Sequence, residues 1–312
     1  MISSDRNNFW KDAFTLHGSV TPRVIPYVLA FSLIALGICV FAWFVERLFD
    51  SRIGIILAPY EFAGVALGLL LVLRTNAGYD RWWEARVLWG GIVNQTRNLV
   101  ISSLTYGPQD SQWREQVVRW TAVFPHIARC SLRGQPPSKE VVALVGEEVA
   151  KQIETSAHMP GYVAWRLGLL LEEGCQKFGM DRFAFRQIDE QRARLIDHIG
   201  GCERILKTPL PIVYAIKIRR FITLYLLALP LALLHQTESV WAILLIPTEV
   251  ALVAYPLISL DQIGVELQNP FADRNLSHLP LDDISNTIEN NVQGFLQLSE
   301  EQTAAIPDSQ VD

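Results

Sequence analysis

Two carboxylates stand inside apolar stretches of the chain. Glu61 follows Pro59 in "APYEF" and Glu249 follows Pro247 in "IPTEV", so each acid comes two residues after a proline. An ionised carboxylate is costly in hydrocarbon, so it usually faces a cavity or a partner. Two interpretations stay open for each glutamate. It is either a structural group bonded to a neighbouring helix or a carboxylate beside a water-filled path, where it would favour cations.

The apolar stretch that contains Glu61 ends at Arg74, where charged residues and tryptophans begin. This interfacial motif consists of Arg74, Asp80, Arg81, Trp82, Trp83 and Glu84. No proline separates Leu67 from Gly90, so one helix should leave the bilayer near Arg74 and continue in water. The two arginines can reach the membrane surface or pair with Asp80 and Glu84. The tryptophans, with Trp89, suit an interfacial belt.

Apolar stretches dominate the chain as a whole. Half of the 312 residues are hydrophobic, the mean hydropathy is +0.21 and the net charge is -5. We predict an all-α membrane protein with four transmembrane helices in two hairpins and a cytoplasmic helical domain. The predicted segments are an N-terminal interfacial segment (1–24), transmembrane hairpin 1 (25–73), a cytoplasmic helical insert of about four helices (74–220), transmembrane hairpin 2 (221–260), a C-terminal cytoplasmic strap and helix (261–298) and a disordered tail (299–312).

Basic residues near the ends of the spans predict the orientation. Arg23 precedes the first span, Arg74 follows the second, and Lys217, Arg219 and Arg220 precede the third, whereas the turn "QTES" has none. Positive charge is enriched on the cytoplasmic side. We therefore expect a multi-pass protein of the inner (plasma) membrane with both termini and the insert in the cytoplasm.

Several classes of function are disfavoured by what the sequence lacks. It has no basic run of the kind that binds nucleic acid, and it lacks the HExxH, GxSxG, P-loop and GxGxxG motifs. The four cysteines and six histidines are singly placed, without ligand spacing. We predict no enzyme activity, no catalytic residue, no metal site and no cofactor.

An apolar stripe follows one face of the second span. Its members recur every three or four residues and are Ala58, Phe62, Ala66, Leu69 and Leu73. Ordinary packing is one explanation of such a stripe. If several copies of the chain surrounded an axis, Phe62 would instead form an apolar ring that can gate by dewetting. Four spans are few for one pore, so this hypothesis requires an oligomer.

Three longer motifs occur in order: "RTNAGYDRWWEARVLWG" from residue 74, "PLPIVY" at 209–214 and "QNPFADRNLSHLPLDDI" at 268–284. Together with the two-plus-two arrangement of spans, they closely resemble the bacterial branch of the bestrophin family over nearly the whole chain. The resemblance implies a homopentameric ion channel for small monovalent ions. In such a channel the second span lines an apolar neck, and a cytoplasmic vestibule leads to a second aperture.

The resemblance also implies positions for the pore. Alignment on the "YD" pair places the neck at Ala58, Phe62 and Ala66, with Leu69 beside them, and a shift of one helical turn would replace Ala58 by Leu70. Counting back from "PIVY" places the cytoplasmic aperture at Phe183, with Met180 one turn away.

The C-terminal segment differs from that of the animal members, which open on calcium and carry a dense acidic run. Here Asp273 is followed by Arg274, with a gap before Asp282 and Asp283. Calcium needs six or more oxygens at close range, so we predict no calcium gating. The rest of the motif, Asn269, Pro270, Phe271, Asp282 and Asp283, is expected to strap the chain to the neighbouring subunit.

Four functional hypotheses remain open, two of them ion channels. Glu61, repeated around the neck mouth, favours a channel for monovalent cations. The alternative within the same architecture is an anion (chloride) channel, since animal relatives pass anions. Two hypotheses lie outside the channel class. One is a proton- or sodium-coupled secondary transporter that uses Glu61 and Glu249, and the other is a membrane scaffold. The expected partners are further copies of the chain, membrane lipid and the permeant ions.

Overall fold

The computed structural model describes residues 9–50, 54, 57–236 and 240–305, and within these ranges it contains helices and no strand. The helices are α1 (Phe9–Ala13), α2 (Thr21–Phe49), α3 (Leu57–Tyr106), α4 (Ser111–Arg133), α5 (Lys139–Val145), α6 (Glu147–Thr155), α7 (Met159–Phe178), α8 (Arg182–Lys207), α9 (Ile212–Gln236), α10 (Val240–Glu266) and α11 (Leu281–Ala305). The all-α prediction is confirmed for the described part of the chain.

The chain divides into two compact units. The first unit comprises Met1–Trp82, Pro209–Asn269 and Arg274–Ser277, and the second comprises Trp83–Thr208, Pro270–Asp273 and His278–Asp312. The first therefore holds α2, α9, α10 and the start of α3, whereas the second holds α4 to α8 and α11.

Three of the described helices are long and apolar enough to cross a membrane. They are Thr21–Phe49, Tyr60–Tyr106 and Trp241–Glu266. The predicted fourth span lies on α9, which does not join this group. Its apolar run, residues 221 to 235, would reach only about 22 Å at the helical rise, less than a hydrocarbon core of about 30 Å. A fourth crossing therefore stays a prediction.

Helix α3 is continuous from Leu57 to Tyr106, 50 residues in all. Proline occurs in it only at Pro59, in the first turn, where the missing N–H is tolerated. The prediction that one helix continues past Arg74 is confirmed. Arg114 donates hydrogen bonds of 3.0 Å to the Leu104 carbonyl and 2.9 Å to the Pro108 carbonyl, so it satisfies oxygens at the helix end.

The first unit is held together by an apolar core. Its buried members include Val24, Ala35, Leu67, Leu71, Ile218, Leu226, Val250 and Ala254. The rings of Tyr60 and Tyr225 stack with centroids 4.2 Å apart, and the Tyr60 hydroxyl donates to the Tyr225 carbonyl at 2.8 Å. Because Gly64 has no side chain, the Tyr225 hydroxyl can approach the α3 backbone; a Cβ there would lie only 2.6 Å from it.

The second unit is organised around α4. This helix is buried on almost every side, including Val117, Phe124 and Ile127. It begins where the Asp110 carboxylate accepts the Trp113 N–H at 2.7 Å. It ends at Gly134, whose φ of 64° is the left-handed conformation that glycine adopts most easily.

Three predictions about this unit need correction. The insert contains five complete helices, α4 to α8, with the last part of α3 and the start of α9, because Gly146 separates α5 from α6 and Gly179 ends α7 before α8. Trp89 is fully buried in the unit and is not part of an interfacial belt. Helix α11 extends to Ala305, into the tail predicted to be disordered, since "SEEQTAA" consists largely of residues compatible with a helix. Residues 306–312 lie outside the described residues.

Candidate functional site

One face of α3 is apolar and exposed before Arg74. Phe62 is 78% exposed and Leu69 62% exposed, and Val65 and Leu73 are exposed to a similar degree. The opposite face, with Leu67 and Leu71, is buried in the core. Because residues four apart share a face of a helix, Val65, Leu69 and Leu73 form one straight apolar ridge.

The predicted neck residues fall at different places relative to this ridge. Phe62, Ala66 and Leu69 lie on the exposed side. Leu70 is half-buried against the core, and its carbonyl accepts a 3.3 Å hydrogen bond from the Tyr214 hydroxyl. The side chain of Ala58 lies outside the described residues. Val65 was missed, although its spacing to Leu69 and Leu73 was visible in the sequence.

The two intramembrane glutamates are exposed on separate helices. Glu61 lies in the second turn of α3 and Glu249 in the middle of α10. Within the described part of the chain, neither forms an ion pair or a side-chain hydrogen bond. Among the described residues neither glutamate is therefore bonded to a neighbouring helix, and a carboxylate beside a water-filled path stays a prediction.

Arg74 is buried, and its partner is Asp261 on α10. Neither alternative given for Arg74 holds, because its buried side chain does not reach the surface and bonds to Asp261, while Asp80 and Glu84 are exposed and Glu84 pairs with Arg204. The Arg219 Nε atom donates to the other Asp261 oxygen at 2.9 Å. One buried carboxylate thus lies between two guanidinium groups.

The rest of the interfacial motif divides between the two units. In the first unit, the Trp82 indole N–H donates to the Ser277 carbonyl at 2.7 Å, while Arg81 is half-buried. In the second unit, Trp83 is about half exposed and Glu84 forms an ion pair with Arg204. Trp82 is thus tied to the C-terminal segment, and Trp83 is the motif's exposed tryptophan.

The predicted cytoplasmic aperture lies at the start of α8. Phe183 is 83% exposed, and the Asp181 carboxylate accepts its backbone N–H at 2.8 Å. This cap fixes the first turn and holds the phenylalanine away from the core. Met180, in contrast, is buried beside Gly174, so its side chain is a packing group.

The C-terminal strap is bonded within its own chain. Asp282 forms ion pairs with Arg129 at 2.8 Å and with Arg133 at 2.9 Å. Partial burial would raise the pKa of Asp282, but the two arginines outweigh it and lower that pKa below its usual value. Phe271 is buried, and its carbonyl accepts the Arg133 Nε–H at 3.2 Å.

The other three strap residues are Asn269, Pro270 and Asp283, and the Pro270 carbonyl accepts the Leu279 backbone N–H at 2.8 Å. The Asn269 carbonyl accepts a 2.9 Å hydrogen bond from the Asn275 amide within the first unit. Asp283 is exposed in the first turn of α11. Among the described residues no group of three or more histidines, cysteines or carboxylates is arranged to hold a metal ion.

Comparison with known proteins gives the family. The bacterial/fungal bestrophin protein family matches residues 1–294. The chain belongs to the bestrophin family. This bestrophin is 31% identical over 301 residues to a voltage-dependent anion channel-forming protein of Nostoc sp., with 94% of each chain covered. It is 32% identical over 286 residues to a protein of the same name from Synechocystis sp., covering 90% of this chain and 89% of the relative.

Solved structures agree with the described fold. A crystal structure of a bacterial bestrophin homologue from Klebsiella pneumoniae, carrying a point mutation, matches with a TM-score of 0.79 and 25% identity. The match covers 88% of this bestrophin and 99% of that chain. The family assignment from the three sequence motifs is therefore confirmed.

Proposed function

We propose that this bestrophin is an ion channel formed by a homopentamer, with α3 of each copy around a central pore. The single observation that carries the proposal is the apolar ridge on α3, whose residues are exposed while the reverse face packs into the core. An exposed apolar face of this kind has to be covered, either by lipid or by further copies of the chain. The names of the curated relatives, which describe channel-forming proteins, favour the second choice.

The neck of the pore consists of Phe62, Val65, Leu69 and Leu73 in this proposal. Each side chain is large, apolar and more than half exposed in one chain. Rings of such residues exclude water when the pore is narrow, so they can gate by dewetting. Phe183, at the start of α8, forms the second constriction.

We infer that anions, rather than cations, are the permeant ions. The relatives in Nostoc and Synechocystis are named anion channel-forming proteins, which reverses the preference drawn from Glu61 alone. The edge of an aromatic ring carries partial positive charge, so Phe62 rings with their edges toward the axis favour an anion. Glu61 is the one group in the neighbouring turn that opposes this preference.

The membrane arrangement follows from the same proposal. The three long apolar helices cross the inner (plasma) membrane, and α9 completes a four-span arrangement with both termini in the cytoplasm. Basic residues at the start of α9 support that orientation. The second unit, which is rich in charged residues, then lies in the cytoplasm as a vestibule.

The purified protein in planar lipid bilayers tests the function. We expect single-channel currents whose reversal potential in a KCl gradient approaches that of chloride. A reversal potential near that of potassium would establish the cation alternative. Folded pentamers without current, or saturable proton-coupled flux without single-channel events, would overturn the channel proposal.

Two matched variants locate the source of selectivity. Glu61→Gln should shift the reversal potential further toward chloride, because it removes the negative ring beside Phe62. Glu249→Gln changes the same chemical group on α10 and should leave the reversal potential unchanged. Equal shifts in both variants would place the selectivity determinant away from the α3 ridge.

A further inference from the structure

An amphipathic cleft of about 280 Å³ lies within the first unit, between α2, α9 and α10. Tyr27, Phe31, Ile222 and Ile258 provide its apolar walls, and charged groups lie at one end. This combination of an apolar wall with a charged end is suited to a molecule that is itself amphipathic.

The charged end has an incomplete set of partners. Arg219 uses only its Nε atom on Asp261, and its side chain is 55% exposed. Its two terminal nitrogens have no partner among the described residues. The other oxygen of Asp261 is already occupied by Arg74. Two guanidinium groups share one carboxylate, so the cluster keeps one unbalanced positive charge.

Arg219 also borders a second groove. Ile216, Arg220, Thr223 and Leu224 line that groove with it, and Thr223 is common to both cavities. The amphipathic cleft and the second groove therefore meet at Arg219, whose two terminal nitrogens are free to donate. A phospholipid has the same layout, since two acyl chains diverge from one phosphate.

We propose that Arg219 binds the phosphate of an anionic phospholipid whose acyl chains lie in these two grooves. A guanidinium group binds phosphate with two parallel hydrogen bonds, which the two terminal nitrogens of Arg219 can supply. Arg219 stands two residues before the apolar run 221–235, at the level where a headgroup meets the chains. An anionic lipid also balances the residual charge of the cluster, whereas a zwitterionic lipid does not.

Native mass spectrometry of the intact oligomer tests this site, with phosphatidylglycerol and phosphatidylcholine added separately in detergent. We expect the wild type to retain phosphatidylglycerol in preference. Arg219→Gln should weaken phosphatidylglycerol binding about tenfold, the loss expected for one charge-assisted interaction. Lys217→Gln is the matched control because it removes a positive charge from an exposed side chain of the same helix that lines neither groove.

A second variant tests the apolar part of the proposed lipid site and keeps the charge of Arg219. Thr223→Phe fills the junction of the two grooves and should also reduce phosphatidylglycerol binding while the oligomer stays intact. The proposal is overturned if the two lipids bind equally to the wild type, if Arg219→Gln and Lys217→Gln lose binding equally, or if Thr223→Phe binds as well as the wild type. None of these readouts depends on ion conduction.

Discussion

Arg74 of α3 and Asp261 of α10 form a buried ion pair, with 1% and 8% of their side chains exposed. They are separated by 187 residues in the sequence. Gly264, one turn after Asp261, makes room for the arginine: a Cβ at that position would lie 3.3 Å from Arg74 Nε. The pair therefore fixes the position of α3 against α10 inside the first unit.

Removing one member of this pair should destabilise the first unit strongly. Asp261→Asn leaves the Arg74 charge buried without a counter-charge, which typically costs about 3–5 kcal/mol of free energy of unfolding. Thermal unfolding in detergent measures the change. Glu249→Gln, an exposed carboxylate on the same helix, should be nearly neutral. Equal stability of the two variants would show that the charge of Asp261 contributes little to the fold.

The two faces of α3 should respond differently to the same substitution. Leu69→Ala removes bulk from the exposed ridge and should raise single-channel conductance with little loss of stability. Leu67→Ala, two residues away and buried, should cost about 2–5 kcal/mol and leave conductance unchanged. Single-channel recording and thermal unfolding of both variants provide the comparison. A conductance increase in Leu67→Ala alone would place the pore on the other face.

The long helices were predictable because length and apolar composition are local properties, and in α3 also because no proline follows Pro59. The sequence alone therefore predicts α2, α10 and the passage of α3 beyond Arg74. The partner of Arg74 was not predictable in this way, because Asp261 reaches it only through tertiary packing. The proposed pairing with Asp80 could have been rejected, since residues six apart do not share a helix face.

Burial was the other property that the sequence left undecided. Leu70 and Leu73 are chemically identical and lie in the same apolar run, yet only Leu73 is exposed. Likewise Trp83 is exposed and Trp89 is buried, although both lie in the stretch of charged residues and tryptophans that begins at Arg74. The packing within each unit decides which of these side chains are buried. The pattern of residues along a single helix does not contain that information.

The exposed aromatic ring of Phe183 should control ion flow without contributing to stability. Phe183→Ala leaves the Asp181 cap in place, so the free energy of unfolding should change by no more than about 0.5 kcal/mol. If this ring forms the cytoplasmic constriction, the relative permeability of chloride and a larger anion should change. Met180→Ala is the control, since its buried side chain should affect stability and leave permeability unchanged. Unaltered permeability in Phe183→Ala would remove it from the ion path.

The second unit should lose stability as the solution becomes mildly acidic. His126 of α4 is fully buried, and its Nε2 atom lies 2.8 Å from a Glu289 oxygen. Burial lowers the pKa of His126 and outweighs the opposing effect of Glu289. The unfolded state, with an ordinary pKa of about 6.5, then binds more protons than the folded state, so stability falls as pH drops below about 6.5.

The contribution of His126 can be separated from that of the other groups. Burial also lowers the pKa of His198, so His198 contributes to the dependence of stability on pH in the same direction as His126. The pKa values of Glu140 and Asp282 are lowered as well, but these carboxylates act at lower pH. We expect His126→Gln to flatten the dependence of the unfolding midpoint between about pH 5 and pH 6.5 without abolishing it. An unchanged slope would show that His126 is not the titrating group.

Calcium should have no effect on the current, because arginine side chains already bind the oxygens of the strap that a calcium ion would need. Both Asp282 oxygens face guanidinium groups, from Arg129 and Arg133, and Arg133 also occupies the Phe271 carbonyl. A calcium ion requires six to eight oxygens and would have to displace both positive charges. Adding calcium and then a chelator during bilayer recording checks this expectation. Current that rises with calcium in the wild type and no longer rises in Asp282→Asn would show that the carboxylate binds the ion after all.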